Sequence, residues 1–440
     1  MPYRTIPGTK HPYFLIAVDE AGVERSADPD ADAAHGLISE QFLAALAEQD
    51  ISDLFIWSHG WKGDVMGAFD QYDRWIGAFH ARTGDRAQMR AQRPAFRDMH
   101  LGFHWPSQPW GDESLVAGNS FAPGAGAQVD ALTLSHAQVL GDSPAVRAAL
   151  RALFEEVRTH AGATAMTAAA SQAYLDLNEA LALGQGGAAG DGSADRPPFD
   201  PASSTAGDAI ASFGVGAIGQ VLLAPLRQLT FWTMKKRART VGENGLHSLL
   251  LKIGQTCPAV RVHLIGHSFG CIVMSSAIQA GGAAPRLPRA VDSCVLLQGA
   301  TSLWAFSARN QYQGDVAGYF NPVIAGRLVS GPLVTTRSTF DYALGKIYPW
   351  AAGLAGQISF GPPQYGAIGI HGICGIDDAV ELPMKDAAAP YQLQPGRVYN
   401  VDGSAYICQI DGVSGAHSDI GGPEVAHLIW QAALPAAGAP

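Results

Sequence analysis

The stretch Val262-His263-Leu264-Ile265-Gly266-His267-Ser268-Phe269-Gly270 decides how the rest of the chain is read. Four residues suited to a buried parallel strand, Val262 to Ile265, run into Gly-His-Ser-Phe-Gly, and a small, apolar helical pattern follows from Cys271 to Ile278. A G-x-S-x-G pentapeptide between a strand and a helix forms a sharp turn that lifts its serine above the sheet edge. The turn forces Ser268 into a strained backbone conformation, and a side chain at 266 or 270 would collide with the neighbouring strand and helix. The serine hydroxyl then stands at a helix N-terminus, whose amides face any negative charge that develops there. Ser268 is therefore the candidate nucleophile; the plain alternative is a serine that only caps the helix.

Composition narrows the field. The chain has 440 residues, 47% of them apolar, enough for a large core. Its net charge of −10 argues against nucleic acid as the main partner. Five cysteines (257, 271, 294, 374, 408) are scattered without a C-x-x-C pair, so neither a disulfide framework nor a zinc site is indicated. Met1-Pro2-Tyr3-Arg4 does not begin a charged segment followed by an apolar run, so no signal peptide is expected and cytoplasmic synthesis is the default, with a signal-less export route left open.

Upstream, Tyr13–Val18 reads as a buried strand, and residues 38–49 as a helix with Ile38, Phe42, Leu43 and Leu46 on one face. Asp53–Trp57 is a second strong strand and delivers Ser58-His59-Gly60-Trp61-Lys62-Gly63. A strand running into His-Gly and a polar loop suits a backbone donor for an oxyanion: Gly60 permits close approach, and the Trp61 amide is the expected donor, with Gly60 as the alternative. A helix through Trp75 and Phe79 follows, then a strand Met99–Phe103 leading to His104-Trp105. His59, His104 and Trp105 are expected to line the pocket.

Residues 107–226 read as an insertion between the first part of the core (1–106) and the second (227–440). Within it, 144–183 look helical, and 184–207 form a low-complexity segment expected to be a mobile surface loop. A lid over the site and a plain helical elaboration are both open readings. Ala209–Leu226 is uncharged and is followed by Lys235-Lys236-Arg237-Ala238-Arg239. A membrane span here would place the Ser58–Trp61 loop and Ser268 on opposite sides of a bilayer, so a core or lid helix is expected, with peripheral membrane contact through 209–239 a further option. The helical pattern continues to Leu250. After Ser268 come strands at Val291–Leu297, Pro332–Thr336, Val398–Val401 and Ala405–Ile410, then Gly415-Ala416-His417-Ser418-Asp419-Ile420-Gly421-Gly422, and a last helix from Glu424 to about Leu434.

Strands alternating with helices around a G-x-S-x-G turn resemble the α/β-hydrolase fold, over the chain on both sides of the insertion. The Gly-Ala-His-Ser-Asp-Ile-Gly-Gly run also looks like the histidine loop of a subset of bacterial and fungal hydrolases and lipase-like proteins. The resemblance implies a nucleophile, an acid and a histidine in that chain order, each after a strand. His417 is the expected base, and Asp341, just past the strand ending near Thr336, the expected acid. Asp377, Asp378 and Asp402 are weaker alternatives, and Asp419 is expected to fix its loop by holding backbone amides. The resemblance also implies the Phe269 amide as the first oxyanion donor and Trp61 as the second. The expected activity is hydrolysis of carboxylic esters through an acyl-enzyme, with hydrophobic acyl groups favoured. The same residues would serve a thioesterase, amidase or peptidase, and a non-catalytic interaction protein on this scaffold is the reading outside enzymes. No metal or organic cofactor is called for, and no partner protein is deducible.

Overall fold

A computed structural model describes residues 3–6, 8–26, 36–61, 65–107, 126–160, 163–184, 188–191, 195–203, 220–282, 284–314, 316–347 and 362–434. Nine strands form one sheet: β1 Tyr3–Thr5, β2 Pro12–Ala17, β3 Asp53–Ser58, β4 Asp98–His104, β5 Arg261–His267, β6 Ser293–Leu297, β7 Leu333–Arg337, β8 Val380–Pro383 and β9 Val398–Asp402. Their order is β1-β2-β4-β3-β5-β6-β7-β9-β8, and every pairing is parallel except β1 with β2. Parallel pairing points the C-terminal ends of β2 to β9 at one edge, the place where loops from separate strands converge on a ligand. The register is level there: Ser58 lies opposite Gly266, and Gly266 opposite Leu296.

The two faces alternate along each strand, as a period of two requires. Phe14, Leu54, Ile56, Leu264 and Leu296 face one apolar layer, whereas Leu15, Phe55, Trp57, Ile265 and Val295 face the other. Helices α1 (Ile38–Glu48), α2 (Val65–His80) and α3 (Thr83–Gln92) come first, and α2 and α3 pack on the second face with the terminal helix Pro423–Ala433. There Trp430 stacks on Phe79 at 4.1 Å, and its indole nitrogen donates to the Phe79 carbonyl at 2.9 Å. Burying so large an aromatic pair contributes several kcal/mol, and this docks the end of the chain against its first third.

The first face carries α1 and the insertion. Helices α4 (Gly126–Leu140), α5 (Pro144–Thr159) and α6 (Ala168–Ala180) are followed by α7 (Gln220–Val241), a π-helical turn at Gly242–Leu246, and α8 (His247–Thr256). Ser143 and Thr167 cap α5 and α6 through their hydroxyls. Leu150, Leu153, Tyr174 and Leu177 of the insertion share one apolar layer with Leu54 and Leu264 of the sheet. Its described helices therefore extend the core. Helix α4 was not expected from the sequence, and the single helical stretch expected over 144–183 is two helices.

Three further expectations change. Of the segment 184–207, residues 185–187, 192–194 and 204–207 lie outside the described residues. Its described parts are packed, with Ala189, Asp195, Arg196 and Phe199 buried. Of the apolar run, 209–219 lie outside the described residues, and among the described residues no helix is long and apolar enough to cross a membrane. The basic run after it turns inward: Lys235 pairs with Asp195, Arg237 donates to the carbonyls of Pro106 (3.0 Å) and Val139 (2.7 Å), and Lys236 to those of Leu181 and Ala182. Its charges tie insertion to core. Finally, Ala405–Ile410 is no strand. The Cys408 and Gln409 amides go to the Asp419 carboxylate at 3.0 and 2.8 Å, which takes the donors a neighbouring strand would need.

Candidate active site

The turn after β5 has the geometry its sequence requires. Ser268 adopts φ +56°, a left-handed conformation that a residue with a side chain takes only when its surroundings hold it there. Three backbone hydrogen bonds of 3.1 Å do so: the Ser268 amide donates to Leu297, and its carbonyl accepts from Cys271 and Ala300. A Cβ at 266 would lie 2.5 Å from the Gly270 carbonyl oxygen, and one at 270 would strike the Ser58 carbonyl, so both flanking glycines are required. Helix α9 (Gly270–Gln279) starts at once, with its N-terminus at the serine.

His417 bridges the serine and the acid. Its Nε2 lies 2.8 Å from Ser268 Oγ, and its Nδ1 lies 2.7 Å from Asp341 Oδ2. A carboxylate only accepts, so Nδ1 carries the proton and Nε2 is left to accept from the serine hydroxyl. Asp341 is fully buried, and it accepts two further bonds, from the Leu344 amide (2.9 Å, to Oδ1) and from Gln298 Nε2 (2.9 Å, to Oδ2). The alternative acids are engaged elsewhere: Asp402 with the Ser404 amide and Arg337, Asp378 with Arg397. The acid and histidine loops are joined directly, since the Ala416 amide donates to the Phe340 carbonyl at 2.8 Å. Gly415, at φ +62°, lies so close to this backbone that a Cβ would meet the Phe340 carbonyl oxygen and the Tyr342 amide.

Two residues that sequence reasoning passed over hold this arrangement. Gln298, at the end of β6 and itself at φ +44°, bonds Asp341 with its amide nitrogen and accepts from Thr336 Oγ1 with its oxygen at 3.0 Å. His267, inside the pentapeptide, donates from Nε2 to the His417 carbonyl at 2.9 Å. Burial holds the His267 imidazole neutral, well below the usual histidine range, with the neighbouring His417 acting in the same direction. Both roles rest on partners far along the chain, Asp341 and Thr336 for Gln298 and His417 for His267.

The loop after β3 lies against Ser268. A Cβ on Gly60 would stand 2.5 Å from Ser268 Cβ and 3.1 Å from its Oγ. The Phe269 amide has no hydrogen-bond acceptor among the described residues, as an oxyanion donor requires. The Trp61 ring packs on Phe269 and on Phe231 of α7, with centroids 5.9 and 5.8 Å apart. Both Gly60 and Trp61 thus lie on the loop that would supply the second donor. Replacing Gly60 by Ala pushes that loop off the serine while leaving the three triad side chains unchanged. Steady-state kinetics of Gly60→Ala should show turnover reduced on the order of 10²–10³-fold, the usual consequence of losing one oxyanion donor; wild-type turnover would place the oxyanion elsewhere.

His59, His104 and Trp105, expected to line the pocket, are joined to one another behind Gly60. All three are buried, and they brace the loop from behind. His59 Nδ1 donates to the Gly60 carbonyl at 2.8 Å, which leaves its Nε2 to accept from His104 Nδ1 at 2.9 Å. Trp105 stacks on His59 and donates from its indole to the His59 carbonyl at 3.2 Å. Burial, partly offset by the Gly60 bond, lowers His59 to about 4, so the brace stays neutral at physiological pH. His59 and Trp105 directly follow the strands β3 and β4, and His104 ends β4.

A second polar cluster, His80, Asp98 and His100, brings three metal-type donors within 4.8 Å of one another. Its protons argue against a metal. The Trp57 indole donates to His100 Nδ1 at 3.1 Å, so His100 Nε2 carries a proton toward Asp98. Arg86 donates to His80 Nδ1 at 2.7 Å and to both Asp98 oxygens, which puts the His80 proton on Nε2. Protonated nitrogens do not ligate, and the guanidinium supplies the positive charge instead. The cluster starts β4, at the end of the sheet opposite the triad.

Compared with protein-family models, with curated proteins and with solved structures, the chain matches none.

Proposed function

We propose that this chain is a serine hydrolase of the α/β-hydrolase type that cleaves carboxylic esters. The observation that carries the reading is His417 hydrogen-bonded on one side to Ser268 and on the other to the buried Asp341, with Ser268 held at φ +56° beside a helix N-terminus. Ser268 Oγ attacks the ester carbonyl carbon as its proton passes to His417 Nε2. Asp341 steadies the imidazolium, and the Phe269 amide with one from the Gly60–Trp61 loop holds the oxyanion. The tetrahedral adduct collapses, the alkoxide leaves with the proton from His417, and Ser268 keeps the acyl group. Water, deprotonated by His417, then releases the acid and restores the serine.

Support for hydrophobic acyl groups comes from the surroundings of Ser268. Trp61, next to Gly60, packs on Phe269 and Phe231, and Phe340 and Ile410, on the loops that carry Asp341 and lead to His417, are exposed. A panel of p-nitrophenyl esters from acetate to palmitate, run beside acyl thioesters and peptide anilides, tests the proposal. The expected result is ester turnover that rises with chain length. Faster turnover of the thioesters or anilides would reassign the substrate class, and no turnover of any member would favour a non-catalytic role.

A further inference from the structure

Away from the triad, α7 turns a row of cations toward the insertion. Trp232, Lys235, Lys236 and Arg239 lie at helical spacing on one face of α7. Across from them are Ala182–Gly184, Gly190, Asp191 and Arg196, and between these walls lies a cavity of about 200 Å³, room for some six or seven waters at about 30 Å³ each. Four cationic side chains, Arg196, Lys235, Lys236 and Arg239, line it against one carboxylate, Asp191.

The partners of each charge can be followed. Lys235 pairs with the buried Asp195, which also accepts from the Gly190 amide at 2.8 Å, so these two charges are matched. Arg239 pairs with Asp191, and its Nε is buried without a hydrogen bond; Glu243 lies 3.8 Å from that nitrogen and is itself bonded to Tyr319. Among the described residues Lys236 donates to two carbonyls, Leu181 and Ala182, at 3.1 Å each, and it feels the charge of Asp191. Arg196 is 6% exposed, with its guanidinium 5.4 Å from the rings of both Phe199 and Trp232. Its Nη2 donates to Asn178 Oδ1 at 2.7 Å, whereas its Nη1 is buried with no hydrogen-bond partner. Burial lowers Arg196 to about 10, and burial with the charge of Arg239 lowers Lys236, partly offset by Asp191.

A buried guanidinium with an idle N–H, beside an ammonium bonded to carbonyls, is a recognition surface that lacks its acceptor. We propose that this cavity binds a phosphate-type oxyanion. With Lys235 and Arg239 matched by carboxylates, Arg196 and Lys236 are the two cations of the cavity without an ion pair among the described residues, and two separate donors suit an anion that offers several oxygens, as a phosphate does. Helix α7 also carries Phe231, one turn before Lys235 and packed on Trp61 and Phe269. A bound anion would therefore fix the helix that packs on these two residues.

Isothermal titration calorimetry of the full chain with inorganic phosphate, in a phosphate-free chloride buffer near neutral pH, tests this directly. The expected result is one saturable site. Arg196→Met, which keeps an unbranched stem between the two rings, and Lys236→Met should each weaken it about tenfold or more, the usual effect of losing one charge-assisted hydrogen bond. Glycerol phosphate run in parallel separates two sources: tighter binding than phosphate marks a group carried on a small organic molecule, and equal binding marks free phosphate. No saturable binding to the wild-type chain, or unchanged affinity in both variants, would overturn the proposal. If Arg196→Met fails to fold, the half-exposed Lys236→Met decides alone. The readout is binding, so the outcome is independent of whether the chain hydrolyses esters.

Discussion

Ser268→Ala should abolish ester hydrolysis, with kcat falling on the order of 10⁶-fold, as when the nucleophile of a triad is removed, while the fold is retained. The fold survives because the backbone of the turn holds itself: the bonds to Leu297, Cys271 and Ala300 come from main-chain atoms, and the lost Oγ has His417 as its partner. The same residue allows a sharper test. At φ +56° any side chain is strained, so Ser268→Gly should be as inactive as the alanine variant yet more stable than it by about 1 kcal/mol. Thermal denaturation of the two variants side by side measures this. A glycine variant no more stable than the alanine one would mean that the turn is not strained, and the argument from nucleophile geometry would lose its footing.

The second large effect is expected at the acid. Asp341 accepts three hydrogen bonds in full burial. Asparagine is nearly isosteric but has one acceptor oxygen. If that oxygen keeps the Leu344 amide, the new NH₂ faces His417 Nδ1, and the imidazole must move its proton to Nε2. A protonated Nε2 cannot take the proton of Ser268. Asp341→Asn should therefore lower kcat on the order of 10⁴-fold, as expected when an imidazole is held in the wrong tautomer, with a much smaller change in KM. Stopped or steady-state assays on one activated ester are enough to see it. Near-wild-type turnover would move the acid to another carboxylate, although Asp402 and Asp378 are already committed to Arg337 and Arg397.

How much of this was legible in the chain follows from what each element depends on. The strands β3 and β5 and the turn at Ser268 could be read because their signals are local: continuous apolar runs, and glycines at positions where a Cβ meets backbone. His417 and Asp341 could be read through the resemblance, which implies a nucleophile, an acid and a histidine in that chain order, each after a strand. The edge strands could not. Strand β1 has three residues, and β8 has four and ends in Pro383, so neither carries a periodic signal that stands above a loop. The strand expected over Ala405–Ile410 failed for a different reason, because its amides are bonded by the Asp419 carboxylate eleven and ten residues away. The same carboxylate, expected to fix its loop by holding backbone amides, does hold two. Gln298, His267 and the inward-turned Lys235–Arg239 run depend on long-range partners, and composition reads such residues as solvent-facing.

The central claim is that Ser268 is a nucleophile activated by His417 and Asp341. Its most direct test is labelling of the folded, full-length chain at neutral pH with a fluorophosphonate, which phosphonylates a hydroxyl only where a base and an oxyanion site serve it. The expected result is stoichiometric labelling that peptide mapping assigns to Ser268, absent in Ser268→Ala and strongly slowed in Asp341→Asn. A folded wild-type chain that stays unlabelled, or whose label maps to another residue, would contradict it.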